Sequence, residues 1–235
     1  VDLTVRKPDG SIAIQDANFE VRTGEILGVA GIAGSGQKEL CECISGLCPA
    51  QTGAILYHKE NLIGKTPREI IHLGVQLGFV PEDRLGMGLV ASMGMVGNMM
   101  LKTYDAPKGP FIDPAPARKH AEDLVERLGI VTPSVDTPVR LMSGGNVQKV
   151  LLGREIESDP QVLITAYPVR GLDINSSYTV YDLLNEQKKK GVAVVFIGED
   201  LDVLMALSDR ILVMCHGQIT GIVDGRTASK DDIAR

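Results

Sequence analysis

The chain has 235 residues, of which 44% are hydrophobic and 23% charged, with a formal net charge of −6 at pH 7. That mixture suits a single globular α/β domain with a substantial core, and the acidic balance gives no sign of a nucleic-acid partner, which would favour a basic face. No apolar run reaches the roughly 20 residues needed to span a bilayer, so any link to a membrane is expected through partner proteins.

Val1 to Val5 and Ala13 to Val21 read as strands around the Asp9-Gly10 turn. Glu25 to Ala30 is a short apolar run of the kind buried at the centre of a parallel sheet. A glycine-rich loop, Gly31 to Gly36, leads into a helix expected to reach about Ser45. On it Leu40, Ile44 and Leu47 share a face, and Gly46 serves as C-cap. Leu85 to Pro116 lacks periodicity and is rich in Gly, Met and Pro. It reads as an insertion between two halves of one sheet, its Met93, Met95, Met99 and Met100 forming either an adaptable contact surface or helical core. Pro114 to Leu128 is an amphipathic helix stopped by Gly129. Ser143 caps a helix that ends before Pro160, Gln161 to Ala166 is a buried strand, and Ser177 to Lys190 is a helix. Lys188, Lys189 and Lys190 sit at that helix's negative end and are expected to compensate its dipole in solvent. Gly191 to Ile197 is a third core strand, and Arg210 to Cys215 with Gln218 to Val223 form a hairpin across His216-Gly217.

Cys41, Cys43, Cys48 and Cys215 fit no zinc spacing and read as small buried hydrophobes in a reduced compartment. No role is assigned to the four histidines. The start at Val1 shows no targeting segment and suggests a piece of a longer polypeptide.

Two segments carry chemistry. The loop Gly31-Ile32-Ala33-Gly34-Ser35-Gly36, between a buried strand and a helix, has the context of a phosphate-cradling P-loop; a structural glycine-rich turn has the same composition. At Met142-Ser143-Gly144-Gly145-Asn146-Val147-Gln148, a serine and two glycines open a helix. They offer a hydroxyl, backbone N–H groups and a positive dipole to an anion arriving from outside, although a plain capped helix would look alike.

The second segment resembles the LSGGQ signature of ATP-binding-cassette (ABC) ATPases, in the LSGGNQQK form of their sugar and nucleoside importers. Its surroundings agree in order. Val80-Pro81-Glu82-Asp83-Arg84 resembles the segment at the Q-loop, and Tyr167 to Asp173 resembles the end of Walker B and the D-loop (family form DEPTRGLD). Glu199 falls in the switch region, followed by Ser208-Asp209-Arg210. The resemblance covers essentially the whole chain and is strongest to the second, C-terminal cassettes of twin-cassette simple sugar or nucleoside importers, leaning towards the nucleoside branch. It implies a RecA-like α/β lobe with an antiparallel β edge, about 1–84 and 150–235, and a helical lobe, about 85–149. The implied nucleotide-binding residues are Gly31, Ile32, Ala33, Gly34, Ser35, Gly36, Gln37, Lys38 and Glu39. The implied signature, acting in trans, is Ser143, Gly144, Gly145, Asn146 and Gln148, with Glu82 in the Q-loop and Asp173 in the D-loop.

Five positions depart from an active cassette. Gln37 stands for the phosphate-binding lysine and Lys38 for the magnesium-binding hydroxyl. Ala166 stands for the Walker B aspartate, Tyr167 for the catalytic glutamate and Glu199 for the switch histidine. No aromatic residue near Arg6-Lys7 is available to stack on adenine. Each lost charge-assisted contact is worth about 1.5–3 kcal/mol, and a missing general base costs about 10²–10⁴ in rate. The expectation is weak ATP or ADP binding, no catalytic residue, an uncertain magnesium ion and no turnover at this P-loop. Lys38 is a candidate to reach a phosphate; Glu82 and Glu199 are candidates to help hold a cation. The resemblance further implies a second cassette fused N-terminally, transmembrane permease subunits, and a place on the cytoplasmic side of the membrane. Two competing readings are an active ATPase with shifted catalytic residues and a non-transport nucleotide-binding or dimerisation module.

Overall fold

A computed structural model describes residues 1–103 and 113–234. Of the insertion read between 85 and 116, residues 104–112 lie outside the described residues.

The chain divides into two compact units. The first comprises Val1–Phe79, Pro160–Tyr167 and Leu184–Arg235; the second comprises Val80–Asp159 and Pro168–Leu183.

In the first unit, β1 (Leu3–Arg6) and β2 (Ile12–Ala17) pair antiparallel. β2 stops at Ala17, short of the expected Val21, just after Asp16 takes a φ of 50°. β3 (Ile26–Gly31) runs into the glycine-rich loop and α1 (Gln37–Ile44). Helix α1 ends in a Schellman motif: Gly46, at φ 74°, donates to the Cys43 carbonyl, and Leu47 donates to Glu42 at 2.8 Å. Leu47 is therefore past the helix and exposed, not on its apolar face. A short hairpin, β4 (Leu56–Tyr57) and β5 (Glu60–Asn61), precedes α2 (Pro67–His72), which opens with a capping box between Thr66 and Glu69.

Strand β6 (Leu77–Val80) lies at one edge of a six-stranded sheet whose order is β10-β9-β3-β8-β7-β6. β7 (Val162–Ala166), β8 (Ala193–Ile197), β9 (Arg210–Cys215) and β10 (Gln218–Asp224) complete it. β3 is parallel to β8 and β9, β7 is parallel to β8, and β10 is antiparallel to β9. Neighbours β6 and β7 are separated in the chain by residues 81–161, so the insertion does interrupt one sheet. The β9–β10 turn uses His216 at φ 49° and Gly217 at φ 81°. Successive positive φ values suit the twist of a two-residue hairpin.

The second unit holds α3 (Met95–Thr103), α4 (Ala115–Leu128) and α5 (Gly144–Glu157), packed on one another. Helix α3 falls where periodicity was weak. Met95 and Met99 are buried core residues, and Met93 remains exposed. Asn98 explains the order of this segment: wholly buried, it accepts from the Val90 N–H at 2.8 Å and donates to the Gly94 carbonyl at 3.0 Å. Ala117, Ala121, Leu124 and Leu128 bury one face of α4, as periodicity predicts, and Gly129 ends it in the left-handed region. A Cβ at Gly153 of α5 would stand 2.9 Å from Leu124, so that glycine permits close helix approach.

α6 (Ile174–Lys189) starts three residues before the expected Ser177, because Asp173 caps it. In the first unit, α7 (Leu201–Leu207) is capped by Asp200, and α8 (Lys230–Ala234) ends the described chain. Lys188 is not merely solvated at the end of α6. Its Nζ donates to Asp209 at 2.6 Å, and Asp209 also accepts from the Ile26 N–H at 2.9 Å. Arg210 meets Glu25 at 2.6 Å. Asp209 and Arg210 thus clamp the entry of β3, a structural task.

Candidate functional site

The P-loop is built from β3 outwards. Gly34 and Gly36 adopt φ of 86° and 98°, open only to glycine at low cost, and a Cβ on Gly36 would meet the Ala13 carbonyl at 2.4 Å. Ser35 is buried: its Oγ accepts from the His216 N–H and its carbonyl accepts from Gly217 at 3.1 Å, tying the loop to the β9–β10 turn. Gly31, Ile32, Ala33 and Gly34 are exposed. The free N–H groups at the start of α1 give the loop its anion preference.

The side chains oppose that preference. Gln37 is buried at 2% exposure, and its Nε2 donates to the Ile32 carbonyl at 3.0 Å. The amide is turned back into the loop. Lys38 points outwards, with its Nζ 3.8 Å from Glu42 one turn on. Glu39, the third residue of α1, lies 3.6 Å from Lys7, so that cation also faces a carboxylate.

Ala166 pairs with Ile197 in the sheet, and its methyl is part of a hydrophobic core cluster with Leu27, Val29 and Leu212. Tyr167 follows at φ 50°, an uncommon conformation for a bulky residue, held by its N–H donating to Ile197 at 2.9 Å. Its ring packs partly on the same core. Glu199 is exposed, next to the cap of α7. Among the described residues no three His, Cys, Asp or Glu side chains cluster as a metal site. No described helix is long and apolar enough to cross a membrane.

The second unit carries the other motif residues. Ser143 caps α5. Its Oγ accepts from the Asn146 N–H at 3.4 Å and from the Asn146 side-chain amide at 3.1 Å. Ser143 and Gly144 are exposed. Asn146 also exchanges two bonds of 3.1 Å with the Val131 backbone, so it clips the 131 loop to the helix start. Gly145 faces Ser176: an ideal Cβ would lie 2.5 Å from Ser176 Oγ. Asp173 is exposed, but its carboxylate accepts from the Ser176 N–H at 2.9 Å and the Ser176 hydroxyl at 2.6 Å. These bonds hold its carboxyl below the usual carboxylate range. Gln148 is wholly buried and Glu82 is ion-paired to Arg170. Residue type alone did not disclose Arg84, whose Nε donates to Gln148 at 2.6 Å.

A glycine-rich loop between a central parallel strand and a helix, in a chain that also carries a helical insertion with a Ser-Gly-Gly helix start, defines an ABC-type P-loop NTPase cassette. Solved cassettes share the fold. The dimeric post-hydrolysis state of the ATP-binding cassette MJ0796 bound to ADP and Pi superposes with a TM-score of 0.83 at 19% identity, covering 97% of this chain and 98% of that one. A nucleotide-free ATP-binding cassette from an ABC transporter gives 0.82 at 20% identity, covering 100% and 93%. The ABC transporter family model matches residues 14–168, and the chain belongs to that family. It is 37% identical over 235 residues to the nucleoside import ATP-binding protein NupA of Lactococcus lactis subsp. cremoris, covering 99% of this chain and 46% of the relative. It is 38% identical over 226 residues to the ribose import ATP-binding protein RbsA of Rhodopirellula baltica, covering 95% and 44%. The chain therefore spans about half the length of these relatives.

Proposed function

We propose that this chain is the nucleotide-binding domain of an importer for simple sugars or nucleosides, with a degenerate ATP site of its own and a signature that completes the ATP site of a partner cassette. The names of the relatives support the solute class. The observation that carries the asymmetry is Gln37: where a cation should meet phosphate, a buried amide is bonded to the Ile32 carbonyl of the loop itself.

The rest of the P-loop side agrees. Lys38 in place of a hydroxyl, and the core methyl of Ala166 in place of a carboxylate, do not fit a magnesium ion. Bound nucleotide would rest on the backbone N–H groups of the loop and α1 alone, giving weak ATP or ADP affinity. Tyr167 supplies no base at pH 7, and Glu199 adds negative charge close to phosphate. Lys38, turned towards Glu42, argues against a rebuilt active site.

On the signature side, Ser143 spends its lone pairs on Asn146, which leaves its O–H to donate outwards beside the N–H groups of Gly144 and Gly145. Asp173 and Gln148 act by shaping this surface. The α/β lobe, about 1–84 and 150–235, would carry the dead site, and the helical lobe, about 85–149, would present the signature. The partners are a second cassette, fused on the N-terminal side, and transmembrane permease subunits that hold the chain at the cytoplasmic face of the membrane.

In the full transporter, Ser143→Arg should abolish ATP-driven uptake, whereas Gln37→Ala should change it less than about twofold. Equal damage from both would overturn the asymmetry. Purified chain should show no magnesium-dependent ATPase activity that Gly36→Arg removes.

A further inference from the structure

Motif residues of the second unit meet at one guanidinium. Arg84 Nε donates to Gln148 Oε1 at 2.6 Å, and its Nη2 donates to the Arg170 carbonyl. Its Nη1 lies 3.7 Å from where a Cβ on Gly144 would stand. Arg170 in turn donates to Glu82. Polar contacts therefore run without a break from Glu82 through Arg170 and Arg84 to the second turn of α5.

An apolar contact doubles the attachment. Asp83 accepts from the Gly86 N–H at 2.8 Å and folds Arg84–Gly88 into a tight turn. That turn ends at Gly88, where a Cβ would be 2.8 Å from Leu151 and 3.4 Å from Pro81. Gln148 and Leu151 are three residues apart, so segment 81–88 grips a single face of α5.

The placement works against local electrostatics. A cation beside the first turn of a helix opposes the helix dipole, and burial lowers the pKa of Arg84. Gln148 is wholly buried, and its Nε2 has no partner among the described residues. Tolerating both costs for local stability alone is uneconomical, since apolar side chains would fill the same space more stably.

We infer that Arg84 is a positioning residue: through Gln148 it sets the first turns of α5, and with them Ser143 and Gly144. The inference rests on the reading of the signature as part of a partner's ATP site.

The test uses the full-length transporter in proteoliposomes with ATP as the probe, and hydrogen exchange on the same proteins. Arg84→Gln and Gln148→Leu should each raise KM for ATP about tenfold, the loss expected of one charge-assisted bond, with kcat changed less than about twofold. The double variant should be no worse than either single, and Gln148→Glu, which keeps the acceptor oxygen, should stay near the parent. Amides 144–148 should exchange faster while β7 and β8 stay protected. Additive KM effects, an unchanged KM, or faster exchange spread over β7 and β8 would overturn the inference. If Ser143→Arg leaves the ATPase intact, the trans reading fails instead, and the exchange data still decide whether Arg84 holds α5.

Discussion

Gly145→Ala is the sharpest probe of the signature's packing. The added methyl would stand 2.5 Å from Ser176 Oγ, 3.2 Å from Ser176 Cβ and 3.5 Å from Asp173 Oδ2. Ser176 cannot swing aside freely, because its hydroxyl donates to Asp173 at 2.6 Å and so helps to define the start of α6. Either the overlap persists as overpacking, about 1–3 kcal/mol, or the bond to the carboxylate is lost at about 1.5–3 kcal/mol. Against this, alanine gains up to about 1 kcal/mol over glycine in a helix interior, and less in a first turn. A net loss near 2 kcal/mol would lower Tm by about 4–8 °C in a chain of this size. Calorimetry on Gly145→Ala alone and in a Ser176→Gly background separates the terms. In that background the clashing atoms are gone and the same substitution should be neutral or stabilising. Equal losses in the two backgrounds would refute the idea that Ser176 is what demands glycine at 145.

Other outcomes follow from the same contacts. Gln37→Ala should cost only about 1 kcal/mol, or 2–4 °C in Tm, because the Ile32 carbonyl keeps its bond from the Ser35 N–H at 3.1 Å; a loss several times larger would mean that the amide holds the loop together. Asp209→Asn should flatten the acid limb of the stability curve. Burial raises the Asp209 pKa, but the bonds from Lys188 and Ile26 outweigh it, so the folded pKa lies below the unfolded one. Its stabilisation is therefore full above the unfolded value and fades as pH falls below about 4; parallel acid limbs in melts of both proteins would contradict this. Iodoacetamide should modify Cys48 before Cys41 in site-resolved mass spectrometry. A hydrogen bond from Cys43 lowers the Cys48 thiol pKa and preserves thiolate towards lower pH, whereas burial pushes the Cys41 thiol well up. Equal labelling of the two would refute that assignment.

Much of this was legible in the chain itself. The alternation of apolar runs and amphipathic segments, the helix of Ala115–Leu128 and the turn at His216-Gly217 follow from side-chain periodicity and local backbone preference, which act over a few residues. So does the capping of α5 by Ser143. What the sequence could not reveal depends on which groups meet at bonding distance once the chain is folded. Helix α3 hides its period because Asn98 points into the core to bind the Val90–Gly94 loop. Lys188 looks solvated until Asp209 is seen beside it. Asn146 reads as an outward-facing signature residue, yet its amide is committed to Val131. Composition and pattern determined the class of fold, and residue identity is what motivates the proposal of a degenerate site at Gln37, Lys38, Ala166, Tyr167 and Glu199. Tertiary structure alone decided that Gln37 turns back into its own loop and that Arg84 reaches Gln148, because a hydrogen bond requires two groups at bonding distance and not merely their presence in the chain.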